Sequence, residues 1–239
     1  GTDWSSFGIQ DVITTSQGLK EWVQSFYGSD KFDIRTYDIG IPEYFGKSDK
    51  PQKPVISVVG RNANEISKFV KLFFTKYPQY NWVTFDPMVT KSKPPQPMRR
   101  VDFAKRLREN FAAVWVDRIA SFGTFPLECM KSGTIPICMK PDIIPEYMIE
   151  RDENGEAVKA VEGAGVWTEN YYDLPTLVGE VLVKFLDDNI SDDLYVKMDA
   201  VVEKYNQNDS EKQLGEIYNE LLKKRISFFE NAIPTQEEK

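Results

Sequence analysis

The sequence predicts an α/β fold in which helices cover both faces of a parallel sheet, and three observations carry this prediction. Short, almost wholly apolar runs of strand length recur along the chain, which is typical of strands buried on both faces. Segments with apolar residues at helical spacing lie between these runs. Glycine, proline and small polar residues mark the junctions and favour turns. With 239 residues, the chain is long enough for one large domain with a full core.

Residues 1–50 are predicted to be the last strand–helix unit of a preceding domain, followed by a linker. A short strand over 12–15 and a helix over 16–27 are expected first. A second strand follows over 32–39. Residues 40–53 contain two prolines and several charges, which is a composition typical of a linker.

Residues 51–239 are predicted to form the main domain. It opens with an unbroken apolar strand over 55–59 and a helix over 64–77. A strand is expected over 81–85. The Asp86-Pro87 pair is then expected to end that strand as a turn, because Asp and Pro are common turn residues.

A proline-rich basic loop is predicted over residues 90–100, which read TKSKPPQPMRR and contain three prolines. A solvated loop is the simpler interpretation. A grip on a phosphate or on an acidic partner is the alternative. A helix over 101–110 and an apolar strand over 111–117 follow this loop.

The most informative stretch is 121–145, SFGTFPLECMKSGTIPICMKPDIIP. A small-residue turn precedes a helix that carries Pro126 and Glu128 in its first turn and ends at Gly133, and a buried strand follows over 134–139. Free backbone N–H groups and the positive end of a helix dipole at one point suit a phosphate. The two oxygens of Glu128 suit a pair of hydroxyls such as those of a ribose. The alternative is an ordinary βαβ crossover in which Glu128 only complements the dipole.

The rest of the chain is predicted to complete the domain. A short helix is expected over 143–149, and Asn154-Gly155 is a strong hairpin signal within a surface insertion. A last strand is expected over 165–168. Three helices follow, over 173–187, 191–205 and 210–229. Ser210 and Gln213 have the spacing of a capping box at the start of the last helix.

Composition excludes several classes of function. With 30 Lys and Arg against 37 Asp and Glu, the net charge is −7 and the pI about 4.9, which argues against general nucleic-acid binding. No apolar run approaches the ~20 residues of a membrane span. Cys129 and Cys138 lie in apolar runs, which predicts reduced core residues of a cytoplasmic protein. The chain has no histidine, so Ser-His, Cys-His and His-metal schemes are excluded within it.

Taken in order, these segments resemble the C-terminal half of a two-domain GT-B glycosyltransferase, and retaining family four in particular. DVITTSQGLKEWVQSFYG and IRTYDIGIPEYF are similar to that family's crossover from its N-terminal domain, and VVGR to its glycine-arginine turn. FGTFPLECMKSGTIPI with IPEYM resembles its most diagnostic block. GVWTENYYDLPTLVGEVLVKFL and YNQNDSEKQLGEIYNELL resemble its closing strand and helices. The resemblance implies a Rossmann-like, doubly wound parallel sheet with the C-terminal helices packing back.

The resemblance also implies a site. In that family this half binds a nucleotide-sugar donor at the carboxyl ends of its strands, and the sugar is transferred with retention and without an obligatory metal or other cofactor. By position, Glu128 matches the glutamate that holds the ribose hydroxyls, and Arg61 matches the arginine that compensates the diphosphate charge. The implied donor-binding residues are Gly60, Ser121, Phe122, Gly123, Thr124, Leu127 and Glu128.

Two positions depart from the family pattern. Ala120 stands where the family has a glutamate that contacts the donor sugar. Residues 62–66 lack the lysine that the family usually has about five residues after the arginine at Arg61. Arg118, a second catalytic candidate, and Lys68 are possible substitutes for that missing cation. These departures favour the alternative of a degenerate, non-catalytic GT-B domain used for binding or assembly.

Other side chains have simpler interpretations. Glu146 is expected to be a helix-surface charge. Trp167 and the Tyr171-Tyr172 pair are expected to pack in the core or at its rim. Asp117 beside Arg118 suits either a site or an ion pair.

The predicted function is the donor-binding half of a retaining, hexosyltransferase-like glycosyltransferase of bacterial glycan biosynthesis. It would transfer a sugar from a nucleotide diphosphate sugar to an unknown acceptor. Its expected partners are the donor and its own N-terminal domain, with no nucleic acid, and a peripheral membrane contact is left open for the full-length protein only. The isolated chain is expected to be inactive. A weaker alternative is an enzyme of this architecture, such as an epimerase, that acts on a nucleotide sugar without transfer.

Overall fold

The structure is a computed structural model that describes residues 4–48, 52–90, 98–117, 123–141, 145–151, 157–160 and 164–232. Its strands are β1 (Asp11–Thr14), β2 (Asp33–Thr36), β3 (Lys53–Gly60), β4 (Thr84–Val89), β5 (Asn110–Trp115), β6 (Ile135–Met139), β7 (Ile149–Arg151), β8 (Ala157–Ala160) and β9 (Val166–Thr168). Its α-helices are α1 (Gln17–Tyr27), α2 (Ala63–Lys76), α3 (Arg100–Glu109), α4 (Phe125–Lys131), α5 (Leu174–Leu186), α6 (Asp192–Glu203) and α7 (Gln207–Ala232). The predicted α/β class is confirmed.

The chain divides into two compact units. One unit comprises Gly1–Gly40 with Asn206–Lys239, and the other comprises Ile41–Tyr205. Helix α7 therefore belongs with the first unit. The predicted division at residue 50, into a remnant of a preceding domain and a nucleotide-sugar-binding domain, stays a prediction.

The first unit is a parallel pair of strands, β1 and β2, joined by helix α1. The Ser16 hydroxyl accepts the N–H of Leu19 at 3.1 Å and caps α1, as the sequence predicts. Gly28 ends the helix with a φ of 100°, a conformation that glycine adopts without a steric penalty. Among the described residues of this unit, Val23, Phe32 and Ile34 form a small buried hydrophobic cluster.

The predicted capping box of α7 is wrong. The helix begins earlier than predicted, at Gln207, so Ser210 lies inside it and is buried. The side chain of Asn206 makes the cap instead, because its Oδ1 accepts the N–H of Asp209 at 2.9 Å. The side chain of Gln213 accepts a backbone N–H from the segment after β2. The residue spacing therefore predicted a cap at Ser210, whereas in the folded chain Asn206 makes the cap and Gln213 binds the segment after β2.

The second unit is built on a five-stranded parallel sheet in the order β4-β3-β5-β6-β9. Helices α2 and α5 pack together and against β3, while α3 and α4 pack together and contact β5 and β6. Helices cover both faces of β5 and β6, so β6 is buried throughout and β5 is buried except at its last residue, Trp115. This is the doubly wound, Rossmann-like arrangement that the apolar runs predict. Helix α6 contacts α4, so α5 and α6 both pack back onto this unit.

The predicted turn at Asp86-Pro87 is wrong, because both residues lie inside β4. Pro87 pairs with Val58 of β3. Strand β4 is an edge strand of the described sheet, so the missing proline N–H falls where no partner strand needs it. Asp86 accepts hydrogen bonds from the guanidinium of Arg106 in α3, which also ties the edge strand to a helix.

The segment after β6 differs from its predicted helix. Residues Glu146–Met148 form a 3-10 turn in which Glu146 is half-buried, and β7 begins directly afterwards. Strands β7 and β8 pair antiparallel, as expected for the arms of the predicted hairpin. Asn154 and Gly155 themselves lie outside the described residues.

Cys129 and Cys138 are both buried free thiols, which confirms their prediction as reduced core residues. Burial raises the pKa of each thiol above its ordinary value, so both stay neutral. Among the described residues, no helix has the length and apolar character needed to cross a membrane.

Candidate functional site

The order of the strands creates one point on the sheet where a ligand is expected. Helix α2, which follows β3, lies in one helix layer, and α4, which follows β5, lies in the other. The connections after these adjacent strands therefore diverge, and open α/β sheets bind ligands outside the carboxyl ends of strands at such a switch point. Arg61 follows β3 at this edge, and Val116 and Asp117 follow β5.

A hydrogen bond joins the two strand ends. The backbone N–H of Arg61 donates to Oδ2 of Asp117 at 2.6 Å, and the indole N–H of Trp115 approaches the same oxygen at 3.4 Å. Asp117 thus accepts from the Arg61 backbone and from the Trp115 indole. The Arg61 side chain is exposed and forms no ion pair with the described residues. The arrangement holds the backbone of Arg61 in place and leaves its cation available to an anion.

Gly60 lets the two strand ends come close together. A Cβ at this position would lie 2.8 Å from Cγ2 of Val116 and 3.1 Å from Cγ1 of Ile66, which is tighter than real side chains tolerate. The position therefore requires a glycine for packing alone. This structural requirement stands beside the donor-binding role that the resemblance implies for Gly60.

The N-terminus of α2 lies at the same edge, directly after Arg61. The Asn62 side chain caps this helix by accepting the N–H of Glu65 at 3.0 Å. Lys68, the proposed substitute for the missing lysine, has its ammonium 5.4 Å from the centre of the Tyr171 ring. A cation on α2 is thus drawn to an aromatic ring from the segment after β9.

Tyr171, from the segment that follows β9, also lies close to the start of α2. Its ring packs against the core, as predicted, and its buried hydroxyl has no hydrogen-bond partner among the described residues. Burial and the nearby charges of Glu65 and Asp117 raise the pKa of Tyr171 to about 12, so the hydroxyl stays protonated at neutral pH. Tyr172 beside it is exposed. The sequence offered no reason to prefer Tyr171 over its neighbour as a site residue.

The predicted helix after the small-residue turn is α4. Gly123 has a φ of 64°, Pro126 lies in the first helical turn, and Gly133 follows the helix with a φ of 72°. The backbone N–H of Glu128 donates to the carbonyl of Thr124 at 2.9 Å, which closes the first turn. Leu127 is fully buried and packs in the core.

Glu128 is only 3% exposed and forms an ion pair with the guanidinium of Arg100. Burial is the largest influence and raises the pKa of Glu128, whereas the charge of Arg100, its hydrogen bond and, more weakly, the Thr124 side chain act to lower it. The sequence singled out Glu128 and considered Arg100 only as part of the basic loop over 90–100, because no sequence pattern links the first residue of α3 to a residue in α4.

The structure brings some predicted residues together and leaves others outside its description. Gly60 and Arg61 lie at the switch point, and Gly123, Thr124 and Glu128 lie at the start of α4, on the layer where α3 and α4 pack. Arg118, Ala120, Ser121 and Phe122 lie outside the described residues, so Gly123 and Thr124 are the part of the predicted turn that the structure describes. The donor-binding roles of all these residues stay predictions.

The described residues contain no group of three or more Cys, Asp or Glu side chains that could hold a metal ion. The expectation that the reaction needs no metal concerns catalysis and stays a prediction. A positive charge at this edge comes instead from Arg61, Lys68 and Arg100.

Comparison with solved structures identifies the fold. No protein-family model matches the sequence, and no curated protein matches it. Solved structures of GT-B glycosyltransferases are similar. The pneumococcal O-GlcNAc transferase GtfA, in complex with UDP and GlcNAc, is 15% identical with a TM-score of 0.62, and the match covers 91% of this chain and 46% of that chain.

Two other neighbours have the same fold. TarM is 14% identical with a TM-score of 0.61, covering 90% of this chain and 44% of that one. The sucrose-phosphate synthase of Thermosynechococcus elongatus is 13% identical with a TM-score of 0.57, covering 89% and 58%. The chain spans about half the length of these proteins. Their likeness confirms a Rossmann-like half of a GT-B fold, whereas membership of family four stays a prediction.

Proposed function

We propose that this chain is the donor-binding half of a retaining glycosyltransferase that transfers a sugar from a nucleotide diphosphate sugar. One observation carries the proposal: the exposed Arg61 guanidinium stands at the switch point of a GT-B-like sheet, with its backbone held by Asp117. A cation fixed at the carboxyl ends of parallel strands suits a diphosphate.

The chemistry of the site follows from charge. When the glycosyl bond breaks, negative charge develops on the departing diphosphate, and preorganised cations and dipoles stabilise it. In this chain, Arg61 supplies a cation and α2, with Asn62 as its cap, supplies the positive end of a helix dipole. Glu128 would accept the ribose hydroxyls of the same nucleotide.

Uridine nucleotides are the first ligands to test. The pneumococcal neighbour was solved with UDP and GlcNAc, and its fold matches nearly all of this chain. The acceptor and part of the cleft are proposed to come from a second half, since this chain spans about half the length of its neighbours. The isolated chain is accordingly expected to bind nucleotide weakly and to transfer nothing.

The experiment that tests this proposal is a calorimetric titration of the chain with UDP, GDP, ADP and their sugar derivatives. Saturable binding of one nucleotide is expected. Arg61→Gln should weaken it roughly ten- to hundredfold, because a charge-assisted contact to phosphate contributes about 1.5–3 kcal/mol. Lys71→Gln is the matched control, since it removes an exposed cation further along α2.

Two outcomes would contradict the proposal. One is equal loss of affinity in Arg61→Gln and Lys71→Gln, which would show a general charge effect. The other is a complete absence of nucleotide binding, both in this chain and in a protein that includes the second half. That second result would favour the degenerate domain used for binding or assembly.

A further inference from the structure

The Arg100–Glu128 ion pair lies at the same edge of the sheet as the switch point. Arg100 is the first residue of α3, which leads into the amino end of β5, and Glu128 lies near the start of α4, which follows the carboxyl end of β5. Crossover helices run antiparallel to their strands, so both helices begin at the carboxyl edge. The ion pair therefore joins the N-terminal ends of α3 and α4 at the carboxyl edge of the sheet, where a ligand is expected.

Arg100 lies close to two aromatic rings. Its guanidinium carbon lies 5.3 Å from the ring centres of both Phe45 and Phe103. Both rings are buried in the core. The side chain remains 54% exposed, so one part of the guanidinium faces solvent while another part pairs with Glu128. Aromatic faces orient a planar guanidinium, which gives this contact a defined geometry.

Glu128 depends on this cation. A carboxylate that is 3% exposed loses most of its hydration, and an ionised buried group is tolerated only when it is paired and hydrogen-bonded. Burial raises the pKa of Glu128, and the Arg100 charge is the largest influence that opposes it. The Thr124 side chain acts more weakly in the same direction.

The other titratable groups on the elements that pack against α4 do not replace Arg100. Cys129 on α4 and Cys138 on β6 are neutral buried thiols. Most acids on the neighbouring segments are paired: Asp102 with Arg99, Glu109 with Lys53, Asp86 with Arg106, Glu43 with Lys131, Asp193 with Lys197, and Asp199 with Lys47. Asp192 and Glu203 on α6 are exposed, and none of these acids is among the groups that shift the pKa of Glu128. Among the described residues, Arg100 is thus the cation that acts on Glu128.

We propose that Arg100 is a positioning residue that holds the Glu128 carboxylate ionised and in one orientation for the ribose of a nucleotide. A carboxylate offers about four acceptor positions, and the Arg100 guanidinium donates to Oε1 of Glu128. The remaining positions are left for a vicinal diol. The ribose part of this inference rests on the proposed function, whereas the effect of Arg100 on Glu128 does not.

The first test measures the pKa of Glu128 directly, by titrating its carboxyl carbon by NMR without any nucleotide. Arg100→Gln should raise this pKa by about one unit or more, because an opposite charge in contact with a carboxylate usually lowers its pKa by ~1–3 units. Arg100→Lys should recover part of the shift. Arg99→Gln is the matched control, since it removes an exposed arginine that pairs with Asp102 instead. An unchanged Glu128 pKa in Arg100→Gln would overturn the proposal.

The second test compares nucleotide affinity between pH 6 and pH 8. The ratio of Arg100→Gln affinity to wild-type affinity should fall as the pH is lowered, because the pKa of Glu128 is higher in the variant and its carboxylate is protonated first. Using the ratio removes the titration of the nucleotide phosphate. Arg99→Gln should give a constant ratio, and Arg100→Lys an intermediate one.

The two tests separate the two proposals. Tighter binding by Arg100→Gln at every pH would mean that Arg100 competes with the nucleotide for Glu128, which overturns the positioning role. If no nucleotide binds either the wild-type chain or a protein that includes the second half, the proposed function and the ribose part of this inference fail together. The measured pKa of Glu128 still decides whether Arg100 keeps that carboxylate ionised.

Discussion

Two neighbouring arginine–carboxylate contacts at one edge of the sheet are arranged in opposite ways. At the switch point, Asp117 binds the backbone of Arg61 and leaves the guanidinium exposed. At the starts of α3 and α4, the guanidinium of Arg100 binds the carboxylate of Glu128, which is almost completely buried. The first contact therefore presents a cation, and the second keeps a buried anion charged.

The difference shows that burial, and not residue type, decides what each pair can do. An exposed guanidinium is well hydrated and exchanges readily with an incoming phosphate. A buried carboxylate without a counter-charge would take up a proton instead. The first region suits the diphosphate of a nucleotide, and the second suits neutral hydroxyls that require an ionised acceptor.

The largest effect is expected when the ion pair between Arg100 and the buried Glu128 is broken. Arg100→Ala should destabilise the fold by about 3 kcal/mol, because it leaves Glu128 buried without its cation. Glu128→Gln should cost clearly less, since Arg100 is half exposed and becomes solvated. Urea denaturation at pH 7 measures both, and equal losses would contradict the asymmetry.

The pH dependence of this loss has a definite sign. The pKa of Glu128 is already raised in the folded chain and rises further without Arg100. A carboxyl group whose pKa is higher in the folded state stabilises the fold at low pH, and this stability is lost as the pH rises through the folded pKa. The cost of Arg100→Ala should therefore shrink toward pH 4 and be largest above neutral pH.

A smaller effect is expected where the strand ends meet. Gly60→Ala should destabilise by about 1–3 kcal/mol, because its new Cβ would lie 2.8 Å from Val116. Gly215→Ala is the matched control, since a Cβ there meets nothing within 4 Å and it lies inside α7, where alanine is favoured by about 1 kcal/mol. Thermal unfolding of both variants measures the contrast. Similar shifts would show that the strand ends move apart easily.

The next effect in size is expected from losing the hydrogen bond between the Arg61 backbone N–H and Asp117. Asp117→Ala removes the acceptor of the Arg61 N–H and should cost about 1–2 kcal/mol, whereas Asp117→Asn keeps an acceptor oxygen and should cost less. Nucleotide affinity should fall in the alanine variant, because Arg61 is then held less firmly. Unchanged affinity in a stable Asp117→Ala protein would separate Asp117 from the site.

The smallest expected effect concerns Tyr171. Its buried hydroxyl has no partner among the described residues, so Tyr171→Phe should be neutral or stabilise the fold by up to ~1 kcal/mol. Chemical denaturation measures the stability, and calorimetry shows whether nucleotide affinity changes with it. A clear loss of stability would mean that a buried water satisfies the hydroxyl.

Much of this protein could be predicted from residue patterns. Near-continuous apolar runs are found only where both faces of a strand are covered, so they determined the parallel sheet and its helix layers. Local capping chemistry likewise determined the start of α1 at Ser16 and the end of α4 at Gly133. Glu128 was found because its place in a first helical turn is a local property.

Tertiary structure decided the features that depend on distant neighbours. Pro87 continues a strand because β4 is at an edge, and Asn206 caps α7 where Ser210 was expected to. The partner of Glu128 could not be predicted, since Arg100 meets it only when α3 and α4 pack on one layer. Packing between helices and strands decides whether a charged side chain is exposed to a ligand or pairs with a buried group of opposite charge. The order of these elements in the sequence does not determine that packing.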